Sequence, residues 1–301
     1  MRHLYLVALP LALAAHPLSA QEAAPQTSAP TELQAGGFVG VNVGRTYLEA
    51  DQVDTKDHQP ETLGFYGSYA IPFFQHFSLQ VDGDIEFYQF DAKDGDNTLR
   101  DGLGAVHFSY KDPQQGLFGV FAGGGATVDG GDDDSNKTFQ FIGLEGQYYI
   151  QDITLFSQAG FLDGDDDQYE TIDNGLFARG GASYYFTPNT KLTGSLSYVN
   201  GDRYNRPNPG DARDGEVNIF SWGAEFKQNF TALPVGLSAS YNGHDFQIKG
   251  DESDEPVVHE FRFGAFFQFG TSTLQENDRT AAGSDLPELK RWISLSTNEV
   301  D

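Results

Sequence analysis

The sequence has no cysteine, one methionine and two tryptophans in 301 residues. Without cysteine there is no disulfide framework, no thiolate metal site and no N-terminal thiol to carry a lipid. Positive charge is scarce as well: 18 Lys and Arg stand against 44 Asp and Glu, a net charge of −26. A chain so acidic is a poor partner for nucleic acid, whose phosphates demand a basic surface. Long apolar runs are missing too. Beyond Leu4 to Ala15, nothing approaches the ~18 consecutive apolar residues that a membrane-crossing helix needs. The mean hydropathy of −0.44 would place the chain among soluble proteins. That inference is unsafe, because a barrel strand shows apolar residues on one face only and disappears in window averages.

What the chain does have is 35 glycines, 25 phenylalanines and 14 tyrosines, a composition for strands and turns rather than helices. Residues 1–20 read as a secretory signal peptide. Arg2 supplies the positive start, Leu4 to Ala15 the apolar stretch, and Pro17-Leu18-Ser19-Ala20 ends on a small residue suited to cleavage. Residues 21–36, rich in Ala, Pro, Ser, Thr and Gln, read as a flexible periplasmic leader.

From residue 38 onward one rule repeats. Runs of about ten residues alternate apolar and polar, the period of a strand with two different surroundings. Val39, Val41 and Val43 oppose Asn42 and Thr46; Leu63, Phe65 and Tyr69 oppose Thr62, Tyr66 and Ser68. The clearest run sets Leu79, Val81, Ile85 and Phe87 against Gln80, Asp82, Asp84 and Glu86. Similar runs follow at 99–110, 117–128, 138–149, 153–162, 175–186, 190–199, 217–227 and 235–242. The twelfth ends the series, with Phe261, Phe263, Ala265, Phe267 and Phe269 facing one way and Glu260, Arg262, Gly264 and Gln268 the other. The facing of the glycine-rich fifth run is left open by its composition.

The connections also obey a rule. Short ones (72–76, 111–116, 150–152, 187–189, 228–234) follow even-numbered runs, and long acidic ones (51–61, 91–98, 129–137, 163–174, 200–216, 243–256) follow odd-numbered runs. A soluble sandwich alternates but has no reason to sort loop length by parity. A transmembrane barrel does, with short turns on the periplasmic side and long loops outside. Closure leaves no unpaired strand edge in hydrocarbon. The expected fold is all-β: an antiparallel up-and-down transmembrane barrel of about 12 strands over residues 37–270, followed by a periplasmic tail at 271–301.

The order Arg262-x-Gly264-x-x-Phe267-x-Phe269 resembles the C-terminal insertion signal of outer-membrane β-barrel (porin-like) proteins of Gram-negative bacteria. With the alternation over 38–270, that resemblance implies location in the cell outer membrane, insertion by the barrel-assembly machinery, and passive diffusion of small solutes. Two departures stand out: the chain continues from Phe269 to Asp301, and the large general porins have more strands.

On this reading the face opposite the aromatics lines the lumen. It carries Asp82, Asp84, Glu86, Glu145, Glu225 and Glu260 with Arg179, Lys191, Lys227 and Arg262. An acid excess there predicts a pore with mild cation preference. The competing reading is a lumen closed by those same charges pairing, with Glu225–Lys227 and Glu260–Arg262 as natural pairs. Such a closed barrel would act as a structural or surface-interaction protein, its acidic outer loops binding divalent cations, lipopolysaccharide or an external partner.

Among the loops, Asp163, Asp165 and Asp167 are the candidates for Ca²⁺ or Mg²⁺, ions that would bridge to lipopolysaccharide phosphates. The segment fails as an EF-hand, since Gln168 replaces the turn glycine and Asn174 the bidentate Glu, so solvated loops are the plainer expectation. No cofactor motif is present: Gly123-Gly124-Gly125 lacks the Lys-Ser/Thr of a phosphate loop, and a bend in a strand is the plainer reading. No histidine sits in a recognisable nucleophile context, so no enzyme is expected. The tail is polar until Leu286-Pro287-Glu288-Leu289-Lys290-Arg291-Trp292-Ile293. Its alternatives are an amphipathic turn docking under or into the barrel and a disordered periplasmic end.

Overall fold

A computed structural model describes residues 32–49, 60–89, 98–129, 136–164, 172–205, 213–230, 232–248 and 256–289. Strict two-residue alternation builds twelve strands: β1 (Gly36–Glu49), β2 (Glu61–Phe73), β3 (Phe77–Gln89), β4 (Thr98–Asp112), β5 (Gly116–Asp129) and β6 (Asn136–Ile150). They continue as β7 (Ile153–Gly164), β8 (Ile172–Thr187), β9 (Thr190–Asn205), β10 (Arg213–Asn229), β11 (Val235–Ile248) and β12 (Val257–Phe269). One short helix, α1 (Leu274–Thr280), follows. Each strand pairs antiparallel with its sequence neighbours, and β12 closes on β1. The seam is in register from Gly37 opposite Phe269 to Glu49 opposite Val257.

The sheet is turned inside out relative to a soluble protein. Val39, Val43, Phe65, Val81, Ile142, Leu144, Leu196 and Phe263 all lie exposed on the outer surface. A continuous apolar exterior of this extent has no stable counterpart in water and is the surface a bilayer requires. The inward positions are the buried ones: Gln80, Asp82, Glu86, His107, Lys111, Glu145 and Glu260. Among the described residues no helix is long and apolar enough to span a membrane.

Several strands run further than the alternation suggested. The eleventh run was expected to end at 242, but β11 extends to Ile248, with His244 and Phe246 buried inward. The segment 200–216, expected as a loop, belongs partly to β9 and β10. The reason is the lumen itself, which is not uniformly polar. Toward the long connections its wall is lined by Leu103, Phe121, Phe139, Phe141, Leu162 and Phe177, continuing through Ile219, Phe246 and Val258 as one apolar cluster. The polar-in rule therefore ends before the strands do.

The glycine-rich fifth strand belongs to this arrangement. Gly123 and Gly125 lie beneath the rings of Phe141 and Phe139: a Cβ at Gly123 would come within 2.5 Å of Phe141 Cζ, and one at Gly125 within 2.7 Å of Phe139 Cζ. The run makes room for inward aromatics from β6; β5 remains a regular strand across it.

Candidate functional site

The site is the lumen, and the chain's own C-terminal tail occupies it. The tail leaves β12 at Gly270, whose φ of +84° belongs to the left-handed region open to glycine. A Cβ there would also fall 2.2 Å from Ala35 O. The turn delivers α1 to the mouth formed by the short connections. Thr273 caps the helix, its hydroxyl accepting from Glu276 N at 3.1 Å. Gln275 N donates to Pro188 O at 3.0 Å, and Gln34 N donates to Thr280 O at 2.9 Å.

Beyond α1, residues 281–289 rise along the lumen wall, gripped mainly by their carbonyl oxygens. Lys111 Nζ donates to Ala281 O at 2.6 Å, and Gln147 Nε2 to Gly283 O at 2.6 Å. Gln80 donates to Ser284 O at 2.7 Å and accepts from Ser284 N at 3.2 Å. Gln158 donates to Asp285 O at 2.7 Å, and Arg179 to Leu286 O at 3.4 Å. Leu289 is fully buried in the apolar cluster, and Leu286 packs against it. Of the segment 286–293 for which two alternatives were posed, Leu286 to Leu289 are docked with the rest of 274–289, and Lys290 to Ile293 lie outside the described residues. Over 274–289 the tail is not a free periplasmic end.

All ten charged residues assigned to the inner face point inward, but the structure sorts them into groups. Arg262 reaches across β1 and β2 to Glu86 on β3, at 2.9 Å, and also lies 3.6 Å from Glu260. Glycine permits that reach, since a Cβ at Gly44 would meet the Arg262 stem at 2.8 Å. Lys227 pairs with Glu225 at 3.0 Å. His107 bridges two carboxylates, with Nε2 2.9 Å from Asp82 and Nδ1 3.1 Å from Glu145, all three buried. The tail completes the set. Lys191 meets Asp278 at 2.6 Å, Arg179 lies 3.8 Å from Asp285, and Ser284 Oγ donates to Glu145 at 2.9 Å.

Between the tail and the β1–β3 and β9–β12 walls remains a cavity of about 190 Å³. Asp84, Asn42, Thr193, Glu225, Ser240 and Arg262 line it, and Asp285 and Glu288 border it from the tail. Asp82, Arg179, Lys191 and Lys227 also reach it.

The structure also unites groups that sequence reasoning did not connect. Ser221 and His244 are cross-strand partners on β10 and β11, with Oγ 2.8 Å from Nδ1, and Glu260 Oε2 lies 3.7 Å from His244 Nε2. The order suggests a nucleophile, base and acid. Ser221 is only 3% exposed and His244 is fully buried, so the hydroxyl partners the imidazole and offers no surface to a substrate. The wall residues Gln80, Lys111, Gln147 and Gln158 were likewise missed. Their signal was present: long donor side chains at inward positions near the short turns of β3, β4, β6 and β7.

The remaining candidates separate clearly. Asp163 ends β7 exposed and accepts from Gln140 Nε2 at 3.4 Å, whereas Asp165 and Asp167 lie outside the described residues. Among the described residues no group of three or more His, Asp or Glu side chains is arranged to hold a metal ion. Of the insertion-signal residues, Arg262 and Gly264 face the lumen. Phe267 and Phe269 face outward at the short-turn rim, their rings 6.3 Å apart.

No family model matches the chain, and no curated protein matches it in sequence. Among solved structures it is similar to the COG4313 outer membrane channel from Pseudomonas putida F1, at 12% identity over 82% of this chain and 99% of that one, with a TM-score of 0.56. The KdgM porin in complex with disordered oligogalacturonate covers 76% of this chain and 99% of its own at 10% identity, with a TM-score of 0.43. The translocator domain of the autotransporter NalP from Neisseria meningitidis covers 78% of this chain and 88% of its own at 12% identity, also with a TM-score of 0.43. The first of these likenesses and the apolar exterior agree: the chain has the fold of a porin-like outer-membrane β-barrel.

Proposed function

We propose that the protein is an outer-membrane channel that passes small polar solutes by diffusion, with a mild preference for cations, along a path its own tail keeps narrow. The observation that carries this reading is the polar cavity of about 190 Å³ beside the tail. A barrel evolved only to be filled would have little use for that space, since an unfilled interior forfeits packing. Cation preference rests on the charges at that cavity. Asp82, Asp84, Glu225, Asp285 and Glu288 line or border it, against Arg179, Lys191, Lys227 and Arg262, an excess of one acid. Carboxylates around a narrow aqueous path favour cations.

The full chain in a planar bilayer tests this. The expected result is reproducible small steps of current, with a reversal potential displaced toward cations in a salt gradient. A barrel that inserts without any open-state current sinks the channel.

A second reading has its own support. The apolar cluster from Leu103 to Val258, sealed by Leu289, occupies the lumen on the long-loop side as a core would. A barrel closed there would serve as a scaffold whose acidic outer loops meet cations, lipopolysaccharide or another protein. The same bilayer recording separates the two.

A further inference from the structure

The wall that holds the tail reads it mainly through main-chain groups. Five side chains from five strands, Lys111, Gln147, Gln80, Gln158 and Arg179, each donate to a carbonyl oxygen between residues 281 and 286. Gln80 also receives the Ser284 N–H, so its amide copies the paired donor and acceptor of a neighbouring strand. Recognition of this kind takes affinity from the peptide backbone and specificity from a few shaped positions.

Those positions are narrow. Ala281 and Ala282 are buried, as is Ser284, whose hydroxyl donates to Glu145. Gly283 is fixed from within the tail, since a Cβ there would fall 1.8 Å from Asp278 O of α1, so a side chain at 283 breaks the bound shape of the segment. Leu286 and Leu289 anchor the far end in the apolar cluster.

We propose that this wall is a binding site for an extended peptide of small residues, and that residues 281–289 are its resident ligand, able to leave and be replaced by a peptide of the same sequence. The site is polar, and Arg179, Ser284 and Asp285 of it line the cavity. Once the segment leaves the lumen its hydrogen-bonding groups and those of the wall exchange partners for water, and the net cost per bond is modest. What keeps the segment home is tethering: a short linker from Gly270 holds it at an effective concentration on the order of millimolar. Cutting the linker removes that advantage without touching the wall.

The experiment uses the full chain with a protease recognition sequence inserted between Ser272 and Thr273, where Ser272 is exposed. The protein is folded, checked for heat-modifiable migration and then cleaved. A fluorescent peptide with the sequence of residues 273–301 is added in excess. The expected result is a rise in fluorescence anisotropy matched by release of the resident fragment. A Gly283→Leu peptide should bind at least tenfold more weakly, and Gln147→Leu with Gln158→Leu in the wall should weaken the native peptide by about tenfold. No exchange after cleavage, or equal uptake of a scrambled peptide, overturns the proposal.

If the insertion disturbs folding, Ala282→Cys in the uncut chain replaces it. No native thiol competes, because the chain has no cysteine. Modification of this buried position by a polar maleimide, accelerated by excess native peptide, supports exchange; its full protection over hours overturns it. Neither readout involves current, so the proposal stands or falls apart from conduction.

Discussion

Lys191 on β9 and Asp278 in α1 meet at 2.6 Å, each side chain no more than 15% exposed. Tyr185 OH donates to the same carboxylate oxygen at 2.5 Å. The pair joins the barrel wall to the helix that begins the tail, so it ties the seating of the tail to the barrel. Asp278→Asn leaves the ammonium nearly buried beside a neutral amide, at a cost of about 1–3 kcal/mol. The expected outcome is faster hydrogen exchange across 274–289 with the strands unchanged. Adding Lys191→Met should recover part of the loss, because the orphaned charge is then gone. Equal exchange in wild type and Asp278→Asn would show that the pair contributes nothing to docking.

Selectivity should depend on which acids face the cavity rather than on all the inward acids. Glu86 is held by Arg262 and by Tyr88 OH at 2.6 Å, and Asp82 is held by His107 and Gln80. Asp84 and Glu225 line the cavity, Glu225 beside its partner Lys227, so neutralising Glu225 also leaves that ammonium at the cavity wall. Asp84→Asn with Glu225→Gln should move the reversal potential in a tenfold salt gradient toward zero, lowering the cation-to-anion permeability ratio several-fold. Glu86→Gln should instead lower stability, by leaving the buried Arg262 with only the longer contact to Glu260, and change selectivity less. A larger selectivity change from Glu86→Gln would reverse this assignment.

The barrel was legible because each strand separates two environments, so Val39, Val41 and Val43 or Leu79 and Val81 announce their face every second residue. Loop parity then gave closure and direction. Three features were not legible for physical reasons. Phe121, Phe139 and Phe246 look like lipid-facing residues by type, and only register puts them inside. His244 and Ser221 became neighbours through a strand extension that the polar-in rule had ended early. The tail has no period at all. Gly283, Ser284 and Asp285 find partners 127 to 204 residues away, and only closure of the barrel brings those partners together.

Gly270 should tolerate no side chain. Its φ of +84° and the 2.2 Å approach of a Cβ to Ala35 O predict that Gly270→Ala costs about 1–3 kcal/mol. The strain falls where the β1–β12 seam ends and the tail turns inward. The expected outcome is a lower midpoint in urea unfolding monitored by heat-modifiable migration, together with increased protease cleavage after residue 270. An unchanged midpoint and an unchanged cleavage pattern would mean that the turn relaxes freely.

Leu289 tests whether the apolar chamber anchors the tail. It is fully buried among residues such as Phe121, Phe177 and Ile219, at the end of a segment whose other contacts are largely polar. Leu289→Ala removes that apolar contact and should cost about 2–5 kcal/mol, as for other buried leucines. The docked tail absorbs the loss, because the strands close without it. Hydrogen exchange at 283–289 should therefore rise while strand protection holds, and any current through the barrel should grow. Leu289→Met, which keeps the volume, should behave like wild type. If Leu289→Ala instead loosens β4 to β8, the chamber is the core of the barrel and the tail is an obligatory part of its packing.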